Sequence, residues 1–379
     1  MPVIITIISL IFTFLSKLSK PKKSRIRPTE FDHNLRVENY PSPFPNGWFN
    51  LTSSASVKKG KVIQVEAFGQ KFAVFRGENG IVKVFDVFCP HLNANLADGF
   101  VKGNNLVCPF HGWEFKQDGQ CGHIPYSKDE PPKAAKVKTW EVLEVWGLIL
   151  VWYHAEDKAP SWNPENYLPE LANYNSHGNT SDILNIHLQD FAENGADYGH
   201  FNFVHGLMTV PFSENHIKVD HTVNINFGEG DDEKHLAWFT DVAQLCWKKS
   251  GKPIKDAGGD ALVRYFGPGF LIFRLNSKLA KDITVVKTFT PIGPLKLRMD
   301  DYIFSPKGTN PFARRYIVSE AAAQFHDDIL IWERKGFAKK PLLVKEDGPI
   351  IQMRNWYSQF YSDPDNGFKS EEEEKLVKA

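Results

Sequence analysis

The chain has 379 residues, with 45 Lys and Arg against 45 Asp and Glu, so its formal net charge is zero. This balance argues against a nucleic-acid partner, which would require a basic surface, and 42% hydrophobic residues with 13% aromatics argue against a mostly disordered chain. At about 150 residues a domain, the length predicts two domains. Four cysteines in a chain this long do not make a disulfide scaffold.

The first twenty residues are predicted to be a membrane anchor. Residues 3–15 are almost continuously apolar, and six Lys and Arg follow between Lys17 and Arg27. A cleavable signal peptide has the opposite order, with its positive charge first. Residues 2–18 approach the lower limit of about 17 residues for a transmembrane helix. We expect a single-pass membrane protein of the endoplasmic reticulum with its folded domains in the cytosol; an interfacial helix or a disordered leader is the alternative.

The rest of the chain divides by composition into a tether and a small β domain. Residues 21–46 contain five prolines and are predicted to be a Pro-rich tether. From residue 47 to 155, short β-type runs alternate with glycine-containing turns, which predicts a small all-β domain. The clearest of these runs are 61–65, 72–75, 81–85 and 148–153.

Residues 156–379 are predicted to form a second, α+β domain. A stretch rich in Pro and Asn at 161–171 marks the boundary. Beyond it, helical patterns at 185–203 and 317–335 alternate with strand-like runs, which predicts one large antiparallel sheet with helices. The strand-like runs are 217–227, 235–245, 261–276, 283–290 and 297–305.

Two Cys–His pairs are the strongest motif. Cys89-Pro90-His91 is followed, sixteen residues later, by Cys108-Pro109-Phe110-His111. Zinc also binds two Cys and two His, but zinc-finger motifs usually supply both cysteines before both histidines. Here each loop supplies one of each, which suits a [2Fe–2S] cluster with both thiolates on one iron and both imidazoles on the other. That ligand set raises the reduction potential to about −150 to +300 mV.

The stretches Cys89–Leu96 and Cys108–Phe115 resemble the Rieske iron–sulfur domain. One departure is Asn93, where that family commonly has Gly. Because Asn tolerates left-handed backbone angles better than most residues, we expect the loop to keep its shape. Cys121 and Cys246 have no partner His at a usable spacing and are expected to be ordinary buried thiols.

A second group of ligand types lies between Glu193 and His205. Asp197 and His200 are three residues apart and are expected to share one helix face. His200 and His205 are five apart, so a regular helix would separate their directions by about 140°. Both reach one metal only if the helix ends or bulges between them. Taken alone, the pair is equally compatible with two core or surface histidines.

A carboxylate would complete a two-His, one-carboxylate ferrous site. In the predicted helix at 317–335, Ala321, Phe325 and Trp332 form an apolar stripe that also contains Asp328. An inward-facing carboxylate is costly unless it is paired or bound to metal. Asp328, rather than Asp327 on the polar face, is therefore the predicted ligand.

The D-x-x-H-x₄-H motif after a Rieske domain resembles the catalytic domain of Rieske non-haem iron oxygenases, with a helix-grip fold similar to START domains. The resemblance implies a mononuclear Fe(2+), O₂ as co-substrate, and a head-to-tail trimer in which Asp197 bridges His111 of one subunit to His200 of the next. No G-x-G-x-x-G motif opens a helix after a strand. Electrons are therefore expected to come from NAD(P)H through a separate reductase.

Flanking segments narrow the resemblance to the cholesterol 7-desaturases of animals and ciliates; examples are Gly119–Tyr126, Gly147–His154 and Arg354–Tyr361. The resemblance covers about residues 40–361 and implies desaturation of cholesterol to 7-dehydrocholesterol. Bacterial 3-ketosteroid 9α-hydroxylases share much of the C-terminal pattern, so hydroxylation of a steroid is an alternative. A Rieske electron carrier and a sterol-binding protein without iron chemistry are further alternatives.

Overall fold

The computed structural model describes residues 40–209 and 216–362. The predicted anchor, residues 1–20, and most of the predicted tether lie outside these residues. Among the described helices, none is long and apolar enough to cross a membrane. The end of the predicted tether packs on the fold, because the Tyr40 hydroxyl donates a hydrogen bond to Asp190 at 2.7 Å.

Ten short strands follow, in three antiparallel sheets. Their orders are β1-β10-β9, β2-β3-β4 and β5-β6-β7-β8. Every β-type run predicted before residue 155 overlaps one of these strands, and the predicted all-β character is confirmed. The bounds are Gly47–Ser53 (β1), Lys61–Ala67 (β2), Gln70–Arg76 (β3), Val82–Asp86 (β4), Phe100–Lys102 (β5), Asn105–Val107 (β6), Glu114–Phe115 (β7), Cys121–His123 (β8), Val142–Val145 (β9) and Leu148–Tyr153 (β10).

Strand β3 separates two hydrophobic cores. Alternate residues of a strand point to opposite sides. Phe72 and Val74 therefore join the core that continues into the C-terminal part of the chain, while Ala73 and Phe75 join a separate core that includes Cys89 and Cys108. The loops that carry the predicted cluster ligands are thus anchored in a core of their own.

Eight strands form one antiparallel sheet in the order β11-β18-β17-β16-β15-β14-β13-β12. The large antiparallel sheet predicted for the second domain is confirmed. The bounds are Asn175–Leu184 (β11), Leu207–Thr209 (β12), His216–Phe227 (β13), Leu236–Cys246 (β14), Pro253–Phe266 (β15), Phe270–Ser277 (β16), Ile283–Gly293 (β17) and Lys296–Ser305 (β18).

The run at 261–276 was predicted as one strand, and this was wrong. β15 ends at Phe266 and β16 begins at Phe270. Between them, Gly267 has φ +58° and Pro268 has no N–H for a strand ladder, so the chain turns. This turn packs against β1, since a Cβ atom on Gly47 would lie 2.8 Å from Pro268 Cδ.

Four α-helices complete the described chain: α1 (Leu188–Ala192), α2 (Tyr198–Val204), α3 (Pro311–Trp332) and α4 (Ile350–Ser358). The helix predicted at 185–203 is broken by a 3-10 turn at Glu193–Ala196. The helix predicted at 317–335 begins six residues earlier. Its first turn is capped by Asn310, whose side chain accepts the Phe312 and Ala313 N–H groups, and Pro311 suits the first helical position.

The N-terminal sheets pack against one end of the strands of the large sheet. The backbone N–H groups of Phe68 and Gly69 donate to the carbonyl oxygens of Pro291 and Ile292 at 2.7 and 2.8 Å, near the β17–β18 turn. Because neighbouring strands are antiparallel, the β14–β15 and β16–β17 turns lie at the opposite end of the strands. We call this opposite end, formed by residues 247–256 and 278–282, the far edge.

Candidate metal centres

Two loops of matching geometry carry the predicted cluster ligands. The Asn93 N–H donates to the carbonyl oxygen of Cys89, and the Gly112 N–H donates to that of Cys108, four residues back in each case. Asn93 has φ 54° and Gly112 has φ 69°. The predicted left-handed conformation of Asn93 is therefore correct. Each turn carries one Cys and one His, with the His two residues after Cys89 in the first and three residues after Cys108 in the second.

The four side chains are arranged as two buried thiols next to two partly exposed imidazoles. Cys89 is 1% exposed and Cys108 is 2% exposed, and the rings of His91 and His111 are 4.7 Å apart. Burial raises the pKa of the Cys89 thiol to about 12, with a further contribution from adjacent Cys108. A bound iron pair would offset this cost by binding the thiolates, so this donor set fits a [2Fe–2S] cluster.

Apolar side chains surround the two imidazoles at the surface. His91 stacks on Trp113 at 4.6 Å, and the Trp113 indole N–H donates to the Tyr126 hydroxyl at 2.8 Å. Four large residues around the loops are more than half exposed, and we call them the cluster rim. They are Phe88, Leu92, Phe110 and Tyr126.

The second predicted ligand set is brought together from two distant parts of the chain. One ligand atom from each of His200, His205 and Asp328 lies within 4.8 Å of the others. His205 Nε2 is 3.0 Å from Asp328 Oδ1, and both side chains are at most 5% exposed. His200 Nε2 and His205 Nδ1 are buried without a hydrogen-bond partner. Unpartnered buried polar atoms are costly, and two His with one carboxylate are the ligands of a mononuclear ferrous ion, so the residues fit iron.

The end of helix α2 allows both histidines to face one point. The helix ends at Val204, and His205 is the residue that follows it. The sequence analysis predicted that the helix must end or bulge between His200 and His205, and the helix ends at that point. The two rings are 5.3 Å apart and nearly perpendicular, at 84°.

Asp197 was expected on the same helix face as His200, and this was wrong. Asp197 precedes the helix, and its Oδ1 accepts the His200 backbone N–H at 3.3 Å as an N-cap. Its carbonyl oxygen lies 2.6 Å from His200 Nδ1, which directs Nε2 towards His205 and Asp328. Burial alone would raise the pKa of Asp197, but its contacts with His200 outweigh that effect and lower it.

Sequence reasoning missed the residues that hold this site. The Asn194 side-chain amide donates to Asp328 Oδ2 at 3.3 Å. Asn194 lies three residues before Asp197. The only sequence signal for its role was that the buried Asp328 carboxylate needs a hydrogen-bond donor. Buried His221 also lies beside the site, with its ring 6.5 Å from that of His205 and its Nδ1 2.9 Å from Asp241 Oδ2.

Two family models match successive parts of the chain. The Rieske [2Fe-2S] domain matches residues 47–141, and the 3-ketosteroid 9alpha-hydroxylase C-terminal domain matches residues 151–361. The structure of dicamba monooxygenase bound to dicamba has the same fold, with a TM-score of 0.62 at 17% identity over 84% of this chain and 98% of that one. Together, the fold and the two ligand sets define a Rieske non-haem iron oxygenase.

The sequence relatives specify the family further. A cholesterol 7-desaturase of Hemicentrotus pulcherrimus is 34% identical over 370 residues, which cover 94% of this chain and 77% of the relative. A cholesterol 7-desaturase of Bombyx mori is 33% identical, covering 87% and 72%. A Rhodococcus rhodochrous protein named "Probable 3-ketosteroid-9-alpha-monooxygenase, oxygenase component" is 32% identical, covering 85% and 81%. The chain belongs to the cholesterol 7-desaturase family, and the resemblance seen in its sequence is confirmed.

Proposed function

We propose that this protein is an oxygenase that desaturates cholesterol at C7–C8 and yields 7-dehydrocholesterol. The observation that carries the proposal is the meeting of His200, His205 and Asp328 in a chain 34% identical to a cholesterol 7-desaturase over 94% of its length. The balanced reaction takes cholesterol, O₂, NAD(P)H and a proton to 7-dehydrocholesterol, NAD(P)⁺ and two waters. Two electrons come from the C7 and C8 hydrogens and two from the nicotinamide.

The two metal groups divide the redox chemistry, since the cluster passes single electrons and the mononuclear iron, when bound, supplies the place where O₂ is reduced. Cys89, His91, Cys108 and His111 would hold the cluster, and His200, His205 and Asp328 would hold the iron. Asn194 keeps the Asp328 carboxylate in place by its hydrogen bond. The Asp197 carbonyl oxygen fixes the ring of His200.

An apolar face on α3 leads to Asp328 and suits a long hydrophobic substrate. Ile317 and Ala321 pack against the buried sheet residues Leu275 and Val285. Phe325, one turn further along, is packed with the main core. Long apolar walls with few polar groups are typical of sites for hydrophobic ligands. The same wall would accept a 3-ketosteroid, which is why a hydroxylase is the second candidate.

A separate reductase is the electron source in this proposal. The Rhodococcus relative is named an oxygenase component, a name that implies a partner in electron supply. The sequence itself has no G-x-G-x-x-G motif that opens a helix. NAD(P)H would therefore be oxidised on the partner, and electrons would enter through the cluster.

We extend the proposal to a head-to-tail homotrimer. The Asp197 side chain is 41% exposed although it touches His200. Close to it, Asp347 accepts the Val344 N–H at 2.8 Å and lies near Gly199. Exposed Val344 is therefore close to the start of α2, and exposed Leu342 precedes it by two residues. This apolar surface complements the cluster rim. Contact between the cluster rim of one subunit and this surface of the next would bring His111 of the first close to Asp197 of the second.

The proposed location is the endoplasmic reticulum membrane, with residues 1–20 as the anchor and both catalytic domains in the cytosol. The support is the apolar run at 3–15, which is followed by six basic residues. A bilayer location suits an enzyme whose substrate dissolves in lipid.

Sterol analysis tests the activity. Cells that lack a 7-desaturase and express this chain are expected to convert cholesterol to a sterol two mass units lighter, with the absorbance of a conjugated 5,7-diene. A product sixteen mass units heavier would identify a hydroxylase instead. Asp328→Asn should abolish product, whereas Asp327→Asn, on the neighbouring position of the same helix, should retain it.

A further inference from the structure

Two hairpin tips at the far edge concentrate positive charge. The β14–β15 tip, residues 247–256, has four lysines and one aspartate, and the β16–β17 tip, residues 278–282, has two lysines and one aspartate. This gives a formal charge of +4 within fifteen residues of a chain whose net charge is zero. All six lysines are exposed; they are Lys248, Lys249, Lys252, Lys255, Lys278 and Lys281.

Each tip also displays one large apolar side chain. Trp247 is 58% exposed and Leu279 is 62% exposed. Trp247 lies on a tight turn, because its N–H donates to the Lys252 carbonyl oxygen at 2.9 Å and its own carbonyl accepts the Gly251 N–H at 2.8 Å. The side chain is therefore presented from a closed hairpin.

An ion pair joins the two tips into one surface. Lys278 Nζ lies 2.9 Å from Asp256 Oδ1, and the two hairpins are adjacent because Gly259 of β15 pairs with Ser277 of β16. An exposed pair of this kind adds little stability. Its importance here is geometric, since it keeps the Trp247 and Leu279 tips side by side.

We propose that the far edge is a second membrane-contact surface, which binds the headgroup region of a bilayer that contains anionic lipid. Tryptophan is enriched at the membrane–water interface, and clusters of four to eight basic residues are typical of surfaces that bind acidic lipids. Trp247 and Leu279 enter the headgroup region, and the lysines contact the lipid phosphate and carboxylate groups.

A redox protein is the other partner that a basic surface suits, but the position of this surface argues against it. The β2–β3 turn contacts the large sheet at the opposite edge, through Phe68 and Gly69. The 11 residues of β14 separate the two edges by roughly 35 Å at 3.2–3.4 Å a residue. An electron donor has to approach the cluster loops, whereas a bilayer only has to meet the far edge.

Contact between the far edge and the bilayer would also orient the path by which substrate reaches the iron site. This orientation of the path rests on the proposed function. Leu275 and Ile283 lie directly behind the β16–β17 tip and pack against Ile317 and Ala321 of α3. The same face of α3 continues to Asp328. With the far edge on the bilayer, the apolar seam between the sheet and α3 opens towards the lipid from which a sterol would come.

The test uses the full chain with a fluorescent label at one position. All four native cysteines are buried, so an environment-sensitive NBD label can be attached at Ser250→Cys on the exposed β14–β15 tip. The matched control is the same label at Asp232→Cys, in the exposed β13–β14 turn at the opposite edge. Protein is incorporated into phosphatidylcholine vesicles with and without phosphatidylserine.

We expect a blue shift, and quenching by lipid-borne spin labels, at position 250 only, and only with phosphatidylserine. Replacing Lys248, Lys249, Lys252 and Lys255 by Gln should weaken the response at least tenfold in lipid titrations. The same number of Lys→Gln changes at Lys58, Lys59, Lys61 and Lys71, exposed on the N-terminal domain, should not.

Four results would overturn the proposal: no shift with either lipid, an equal shift at position 232, a shift that appears only when an acidic redox protein is added, or an equal shift in neutral vesicles. Desaturase activity of the unlabelled full chain on detergent-dispersed sterol is measured separately. Absence of that activity would refute the proposed function but would not affect the lipid-binding result.

Discussion

Arg354 and Glu193 form a buried, two-contact ion pair beside the mononuclear site. Arg354 Nε and Nη2 lie 2.7 and 3.0 Å from the two carboxylate oxygens of Glu193, and both side chains are less than a tenth exposed. Glu193 opens the 3-10 turn that ends at Ala196, and Arg354 lies on α4. The pair therefore ties α4 to the turn that precedes Asp197.

Replacing one partner of the Arg354–Glu193 ion pair should strongly destabilise the fold. Arg354→Met leaves the Glu193 carboxylate buried without its cation and is expected to lower the free energy of unfolding by about 3–5 kcal/mol, as measured by urea denaturation. Adding Glu193→Leu should recover part of the loss. The control is Lys234→Met, which breaks an exposed pair with Asp231 and should cost about 1 kcal/mol or less. Equal losses in the two single variants would contradict the argument.

Local signals predicted much of this molecule, and non-local contacts explain what was missed. The cluster ligands were identifiable because each loop places its Cys and His within four residues, and Asp328 was identifiable because helical periodicity made it face inward. The Glu193–Arg354 pair joins residues 161 positions apart, and no single-sequence pattern marks such a contact. Asp197 was placed inside a helix because a helix boundary depends on one capping side chain.

Asn194 is expected to control the retention of the mononuclear iron. Asn194→Ala removes the hydrogen bond to Asp328 Oδ2, and loss of a group that orients a metal ligand typically weakens metal affinity by 10–100-fold. Chelator titration followed by metal analysis should show earlier loss of one iron per chain. The two cluster irons, which this change does not touch, serve as the internal control. Retention of all three irons at wild-type chelator concentrations would count against this role.

Asp197→Asn should separate electron transfer from metal binding. Asparagine keeps a side-chain oxygen that can cap the His200 N–H, so the helix and the mononuclear iron are expected to persist. The negative charge of the bridge that we propose to His111 of a neighbouring subunit would be lost. We expect full iron content and a reducible cluster, with cluster reoxidation in a single turnover with O₂ and sterol slowed by orders of magnitude.

Two outcomes of the Asp197→Asn experiment would contradict the role assigned to Asp197. Rapid reoxidation coupled to product formation would refute the route between subunits. Loss of one iron per chain would make Asp197 a metal ligand instead of a bridge.

His111→Cys should keep an iron–sulfur centre and lower its reduction potential. A third thiolate makes the cluster more negative, so an added electron is held less favourably. Potentiometry followed by EPR would measure the change. His123→Cys is the control, because His123 is exposed on β8 in the same domain and is not a predicted ligand. An unchanged potential in His111→Cys would exclude His111 from the cluster.

Deleting residues 1–20 should release the chain from neutral bilayers and leave both metal sites loaded. The deleted segment ends 69 residues before Cys89, the first predicted ligand of either set, so we expect both ligand sets to be unaffected. Sedimentation with phosphatidylcholine vesicles and iron analysis would measure the two effects. A truncated chain that still sediments with neutral lipid would show that the main attachment lies elsewhere.

The hydrogen bond from the Asn46 N–H to the Phe360 carbonyl oxygen, at 2.6 Å, has a consequence for biosynthesis. The residue that leads into β1 finds its partner only after 314 further residues have been made, which takes roughly 15–60 s at 5–20 residues a second. An anchor that inserts as it leaves the ribosome would therefore hold an incomplete chain at the membrane. In that chain, the N–H of Asn46, which leads into β1, would still lack its hydrogen bond to Phe360. Ribosomes stalled before residue 360 should carry chains whose Asn46 region is open to proteases, and release of the complete chain should close it.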